Sequence, residues 1–223
     1  MGEDIKVKAE DGFEMDAYLA LPGGKPKGGV IVVQEIFGVN SHIRADTDRF
    51  AKAGYAALAP AMFDRIQKNV DLGYDAAGIE AGRGIVTQVN WADVEKDLRA
   101  ASDVLKQYGK VGLVGYCWGG SVAWVSTIRD CGVDCASGYY GGRVVDFVAE
   151  TPKVPVILHF GDKDKGIPIA DVEKIKAAHP AVPVYRYAEA DHGFHCDQRA
   201  SYHAESDKIS TTRTMDFFQK HIG

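Results

Sequence analysis

Nothing in this 223-residue chain approaches the roughly 18 consecutive apolar residues that a bilayer-spanning helix requires. A basic excess is missing too. Lys and Arg number 26 against 31 Asp and Glu, for a net charge of −5. That balance argues against nucleic acid as a partner, because phosphate binding needs a basic face. There are only 4 cysteines, Cys117, Cys131, Cys135 and Cys196. The start, Met1-Gly2-Glu3-Asp4, has neither a basic opening nor an apolar stretch behind it, so no signal peptide is expected. Lys6 stands where a myristoylation start wants Ser or Thr. In a chain without a secretory start, the cysteines read as free thiols rather than a disulfide frame, and the expected compartment is the cytoplasm. Internal repeats and low-complexity segments are absent as well. The loosest stretch, Gly23-Gly-Lys-Pro-Lys-Gly-Gly29, lacks the Lys-Ser/Thr ending of a phosphate loop and reads as a flexible connection.

What is present is an ordinary globular balance, 46% hydrophobic and 26% charged. One domain over residues 1–223 is expected. Residues 5–9 and 13–20 alternate around Asp11-Gly12, a hairpin signature. Short apolar runs follow: Val30–Val33, Tyr55–Ala59, Val111–Gly115, Ala136–Tyr140, Val154–Phe160 and Val182–Tyr187. Strands buried on both faces read as continuous runs of this kind. Between them, Ile43, Thr47, Phe50 and Ala51 share one helical face, with Gly54 placed to end the helix. Trp91, Val94, Leu98, Ala101 and Leu105 do the same, and Ser206–His221 reads as a last helix. Such alternation predicts an α/β fold: a mostly parallel sheet of about eight strands, an antiparallel N-terminal hairpin and helices on both faces. In these sheets the site lies at the carboxyl ends of the strands.

The strongest chemical signal is Val111-Gly-Leu-Val-Gly-Tyr-Cys-Trp-Gly-Gly120, a strand, then Gly-x-Cys-x-Gly, then a helix start. This is the pattern of a nucleophile elbow with Cys117 in place of serine. The turn aims the thiol at a helix N-terminus, which favours thiolate, and the Trp118 N–H can face a developing oxyanion. An elbow predicts an acid and then a histidine further along. Asp162 and Asp164 compete for the acid, both following the run that ends at Phe160. Asp164 is favoured because it stands four residues before Pro168; Asp162 then shapes the turn. His192, just past a strand and followed by Gly193, which leaves room for the ring to swing, is the base candidate. His42, His179, His203 and His221 read as solvated, and His159 as a core residue. A metal reading of His192, His195 and Cys196 lacks a second ligand cluster. The loop Gln34-Glu35-Ile36-Phe37-Gly38 offers the Ile36 N–H as second oxyanion donor and Glu35 as a carboxylate able to accept the thiol proton.

With these residues in view, the chain resembles the dienelactone hydrolase (carboxymethylenebutenolidase) family of α/β-hydrolases over nearly its whole length. The resemblance rests on Gln34-Glu-Ile-Phe-Gly-Val-Asn40, Gly54-Tyr-Ala-Ala57 with Pro60, Val111–Gly120, Gly138-Tyr-Tyr-Gly141 and His192-Gly-Phe194. It implies hydrolysis of dienelactone to maleylacetate, no metal or organic cofactor, a small anionic lactone or ester as partner, and a monomer. By position it implies Cys117 as nucleophile, His192 as base, Asp164 as acid and Glu35 as the group that activates the thiol. Two arginines would hold the substrate carboxylate. Cys196 occupies the place of one, four residues past the histidine; Arg199 is its nearest substitute, and Arg83 the nearest candidate for the other. A general carboxylesterase on the same fold is the alternative enzyme. A non-catalytic redox or binding module is the alternative class, but Cys131 and Cys135, with three residues between them, fit no redox motif.

Overall fold

A computed structural model describes residues 2–223. Eight strands form one sheet: β1 (Glu3–Lys8), β2 (Glu14–Ala20), β3 (Gly29–Val33), β4 (Ala56–Pro60), β5 (Val111–Tyr116), β6 (Cys135–Tyr139), β7 (Val156–Gly161) and β8 (Val184–Tyr187). Their order is β1-β2-β4-β3-β5-β6-β7-β8. The hairpin β1–β2 and the β2–β4 pair are antiparallel, and every later pair is parallel. Every residue of β3, β4, β5, β6 and β7 is buried, as the unbroken apolar runs require.

Six helices accompany the sheet: α1 (Ser41–Lys52), α2 (Ala76–Val86), α3 (Trp91–Lys106), α4 (Trp118–Ile128), α5 (Ile169–Ala178) and α6 (Ala204–Ile222). Side-chain caps start four of them: Asn40, Asp75, Asn90 and His203 accept from the N–H groups of Ile43, Gly78, Ala92 and Ser206 at 3.2, 2.8, 3.0 and 3.3 Å. Leu105 of α3 lies over Gly29, and Phe218 and Ile222 of α6 lie over Gly112. The register pairs Gly29 with Val111, so Gly112 points the other way and the two helices cover opposite faces.

The hairpin, the parallel sheet and helices α1, α3 and α6 are where the sequence predicts them. Helix α2 has no counterpart there, because Gly78, Gly82 and Gly84 thin its apolar face. Two histidines also depart from expectation. His42 is 3% exposed and His179 9%, each packed under aromatic rings rather than solvated.

Candidate active site

The site grows from the end of β5. Cys117 sits at φ 56°, ψ −115°, directly before α4. That left-handed backbone is costly for a residue with a Cβ. It is held by the Cys117 N–H donating to the Tyr139 carbonyl at 3.0 Å and by the Gly120 N–H donating to the Cys117 carbonyl at 2.9 Å. The flanking glycines are needed for close approach. A Cβ on Gly115 would fall 1.9 Å from the Gly119 carbonyl oxygen, and one on Gly119 would fall 2.5 Å from those of Val33 and Gln34. The Trp118 N–H, first of the helix, has no intrahelical acceptor. Among the described residues the Ile36 N–H has no acceptor either. Helix α2 pins the Ile36 peptide from behind: a Cβ on Gly82 would lie 2.3 Å from the Ile36 carbonyl oxygen.

His192 and Asp164 meet. His192 Nδ1 lies 2.6 Å from Asp164 Oδ2, and Asp164 Oδ1 accepts the Gly166 N–H at 2.8 Å. Burial opposes the charged imidazole, but negative charge when it develops at Cys117, the Asp164 carboxylate and hydrogen bonds to both outweigh it, pushing His192 up to about 10. The competing acid, Asp162, is turned away: it accepts from Arg186 at 2.7 and 3.0 Å.

Glu35 is not at a surface turn. It is 1% exposed, and Arg199 donates to its Oε1 at 2.8 Å. Its other oxygen, Oε2, is buried without a hydrogen-bond partner, so no S–H···O contact with Cys117 is made in this arrangement. The Arg199 guanidinium lies beside the touching rings of Phe37 and Tyr74, 5.6 and 5.7 Å from their centres. Gly193, at φ 78°, makes room for it: a Cβ there would fall 2.4 Å from Arg199 Nη1. The glycine after His192 therefore leaves space for the arginine, not for a swing of the imidazole.

Cys117, Trp118, Ile36, Asp164, His192, Arg83 and Arg199 all line one cavity of about 450 Å³. Arg83 is exposed on α2 and has no protein partner among the described residues. The same cavity is lined by Ser121, Arg143 and Lys165, which sequence reasoning missed. Position was the usable signal, since Arg143 and Lys165 follow the carboxyl ends of β6 and β7. A larger cavity, about 840 Å³, lies against the starts of β7 and β8 and holds no cysteine and no imidazole–carboxylate pair.

The three residues of the metal reading go separate ways. His192 turns to Asp164, whereas Cys196 is buried, its thiol pushed up to about 11 by desolvation and then by Glu35. His195 is 2% exposed, with Nε2 3.2 Å from Asp46 Oδ1 and Nδ1 2.6 Å from Asp207 Oδ1, the latter off the line of a good hydrogen bond. Arg49 reaches the same Asp46 at 3.2 Å, and the Tyr116 hydroxyl donates to it. Among the described residues, no helix is long and apolar enough to cross a membrane.

The strand order, the turn at Cys117 and the imidazole–carboxylate pair behind it define an α/β-hydrolase fold. Comparison with known proteins carries this further. The profile of the dienelactone hydrolase family matches residues 15–222. A Synechocystis sp. protein provisionally named a carboxymethylenebutenolidase is 37% identical over 94% of this chain and 93% of its own. The carboxymethylenebutenolidase of Pseudomonas putida is 30% identical over 96% and 95%. A Klebsiella pneumoniae crystal structure, provisionally named a dienelactone hydrolase, superposes with a TM-score of 0.87 at 30% identity, covering 99% of this chain and all of that one. The chain belongs to the dienelactone hydrolase family, a family of ester and lactone hydrolases.

Proposed function

We propose that this protein opens a small anionic enol-lactone, dienelactone to maleylacetate, with Cys117 as nucleophile. The observation that carries the reading is the shared cavity. In it a cysteine on a strained elbow stands with a His192–Asp164 pair, two backbone N–H groups without acceptors and a guanidinium held by a buried carboxylate.

In this reading the substrate carboxylate is drawn to Arg83 and Arg199, where it competes with Glu35 for the guanidinium. The freed Glu35 takes the thiol proton. The Cys117 thiolate, beside the His192 imidazolium, attacks the lactone carbonyl, and the Ile36 and Trp118 N–H groups receive the oxyanion. As the tetrahedral intermediate collapses, the ring C–O bond breaks and His192 protonates the departing enol oxygen. Neutral His192 then takes a proton from water, whose oxygen attacks the thioester. Cys117 leaves as thiolate, recovers its proton from Glu35, and Glu35 returns to Arg199. Asp164 holds the imidazole in the tautomer that both proton transfers need.

Hydrolysis of cis- and trans-dienelactone, measured with and without a thiol alkylator, tests the reading. Turnover that exceeds that of neutral aryl esters and disappears on alkylation supports it. Turnover of neutral esters above that of both lactones would replace it with a general carboxylesterase. Activity indifferent to alkylation would remove Cys117.

A further inference from the structure

The cavity carries cations on both sides of the nucleophile, and strand order fixes which side each takes. Strand β5, which ends at Cys117, lies between β3 and β6. The loop after β3 brings Ile36 and Phe37, against which Arg199 lies, and α2, which brings Arg83, packs on the Ile36 carbonyl. The loops after β6 and β7 bring Arg143 and Lys165 to the other side. These two loops touch, since Gly142 sits against Ile167.

Arg143 is held in place from three directions. Its N–H donates to Ser121 Oγ at 3.0 Å, its Nε donates to Asp146 Oδ2 at 2.8 Å, and its guanidinium stands 5.5 Å from the ring centre of Trp91. With Nε committed, both terminal nitrogens remain without a protein partner among the described residues. Lys165 likewise has no ion-pair partner there. A guanidinium fixed through Nε with its other nitrogens open toward a cavity presents a fork suited to a carboxylate. The first side differs, because there Glu35 already occupies Arg199.

We propose that Arg143, assisted by Lys165, binds a second acidic group, beyond the single carboxylate that dienelactone carries, so that an ester or lactone with a carboxylate on each side of the scissile bond is turned over better than one with the first alone. This rests on the proposed hydrolysis at Cys117. The first carboxylate meets Arg83 and Arg199 on the side of the departing oxygen, where dienelactone carries its carboxylate. The second lies on the acyl side, across the elbow. Two anchors either side of the carbonyl restrict its tumbling at the thiol, and binding energy spent this way raises reactivity as well as affinity.

The test uses four aryl esters: phenyl butyrate, phenyl hydrogen glutarate, 4-carboxyphenyl butyrate and 4-carboxyphenyl hydrogen glutarate. They carry no carboxylate, one on the acyl side, one on the leaving-group side, and both. The ratio of kcat/KM for the doubly charged ester to that for 4-carboxyphenyl butyrate is compared between the wild type and Arg143→Ala/Lys165→Ala. The ratio should fall by about tenfold in the variant, the loss of one charge-assisted contact. An unchanged ratio, or a wild-type ratio at or below one, overturns the second site. Calorimetric binding of adipate against butyrate to both proteins keeps the question separate from catalysis. Adipate should bind more tightly to the wild type and lose that advantage in the variant, whether or not any ester is turned over. Equal loss of adipate and butyrate binding counts against the proposal.

Discussion

His192 and His195 stand three residues apart in one loop, and each faces a carboxylate at hydrogen-bonding distance. Both are pushed upward, to about 10 and about 9. Yet they belong to two different regions. His192 is half-buried at a cavity wall, with one carboxylate behind it and a cysteine in front. His195 is sealed between Asp46 and Asp207, stacked 4.6 Å from the Tyr116 ring, with no cavity and no nucleophile. An imidazole–carboxylate pair is therefore no signature of catalysis by itself. Proton transfer needs a reacting atom within reach, and of the two only His192 has a thiol there. The His195 cluster ties together α1, the end of β5, the histidine loop and α6, and so supports from behind the surface on which His192 works.

The comparison breaks most sharply at Cys117. Cys117→Ala should abolish ester and lactone hydrolysis, with a loss that reaches on the order of 10⁶-fold in comparable nucleophile deletions. The thermal midpoint should barely change, because the thiol is a small part of the packing. Steady-state kinetics and a melting curve on one sample check both, and near-wild-type turnover would remove the nucleophile from the His192 region. Next comes the acid. Asp164→Asn should lower kcat by about 10⁴-fold, whereas Asp162→Asn, which loses only partners on exposed Arg186, should leave it within a few-fold. The reverse ranking would pass the acid role to Asp162.

Glu35→Gln ranks third. Without the carboxylate, the thiol proton has no acceptor, since His192 is already protonated, and turnover of an anionic lactone should fall on the order of 10²-fold. The rate at which iodoacetamide alkylates Cys117 in the substrate-free protein should change as well. If neither rate moves, Glu35 only neutralises Arg199. A smaller effect is expected at Gly193. A Cβ there would meet Arg199 Nη1 at 2.4 Å, so Gly193→Ala should displace the guanidinium and raise KM for an anionic ester roughly tenfold, more than for a neutral one. An equal rise for both esters would mean that the loop itself has been disturbed.

The parts of this arrangement that were legible in the sequence share a physical feature: they are local. The run from Val111 to Gly120 contains its own strand, turn and helix start, and chain order alone points to Asp164 and His192. The loops that close the cavity are not local. Arg199 meets Glu35 from 164 residues away, and His195 meets Asp46 from 149. Contacts of that span leave no periodicity to read. Helix α2 was hidden for a related reason. Two of its glycines, Gly78 and Gly82, answer to the Gly73 and Ile36 carbonyls packed against them rather than to helix propensity. The same distance hid the burial of Glu35, which as an isolated residue after a strand reads as a turn carboxylate.

The smallest effect on turnover is expected at His195, where the signature is stability against pH. Its imidazole is raised from 6.5 to about 9. Burial works against the charge, but Asp46 and Asp207 outweigh it, and those two carboxylates are lowered by the same contacts. Arg49 and the Tyr116 hydroxyl also face Asp46, and His42 lies 5.6 Å away, ring to ring. A raised pKa means that the folded state binds the proton more tightly than the unfolded chain. The stabilisation is thus complete below about 6.5 and is lost as pH rises through about 9. The wild-type melting temperature should decline across that window by on the order of 5 °C. His195→Gln should shrink that alkaline decline to the part that His192, raised to about 10, contributes. It should also melt lower at neutral pH, where Asp46 and Asp207 would face each other without the imidazolium. Turnover per folded molecule at neutral pH should stay within a few-fold, since His192 keeps Asp164. Melting curves from pH 6 to 10 on both proteins decide the matter. An alkaline decline undiminished in the variant would assign it to another group, His192 first, and would show that the sealed histidine is not held charged by its two carboxylates.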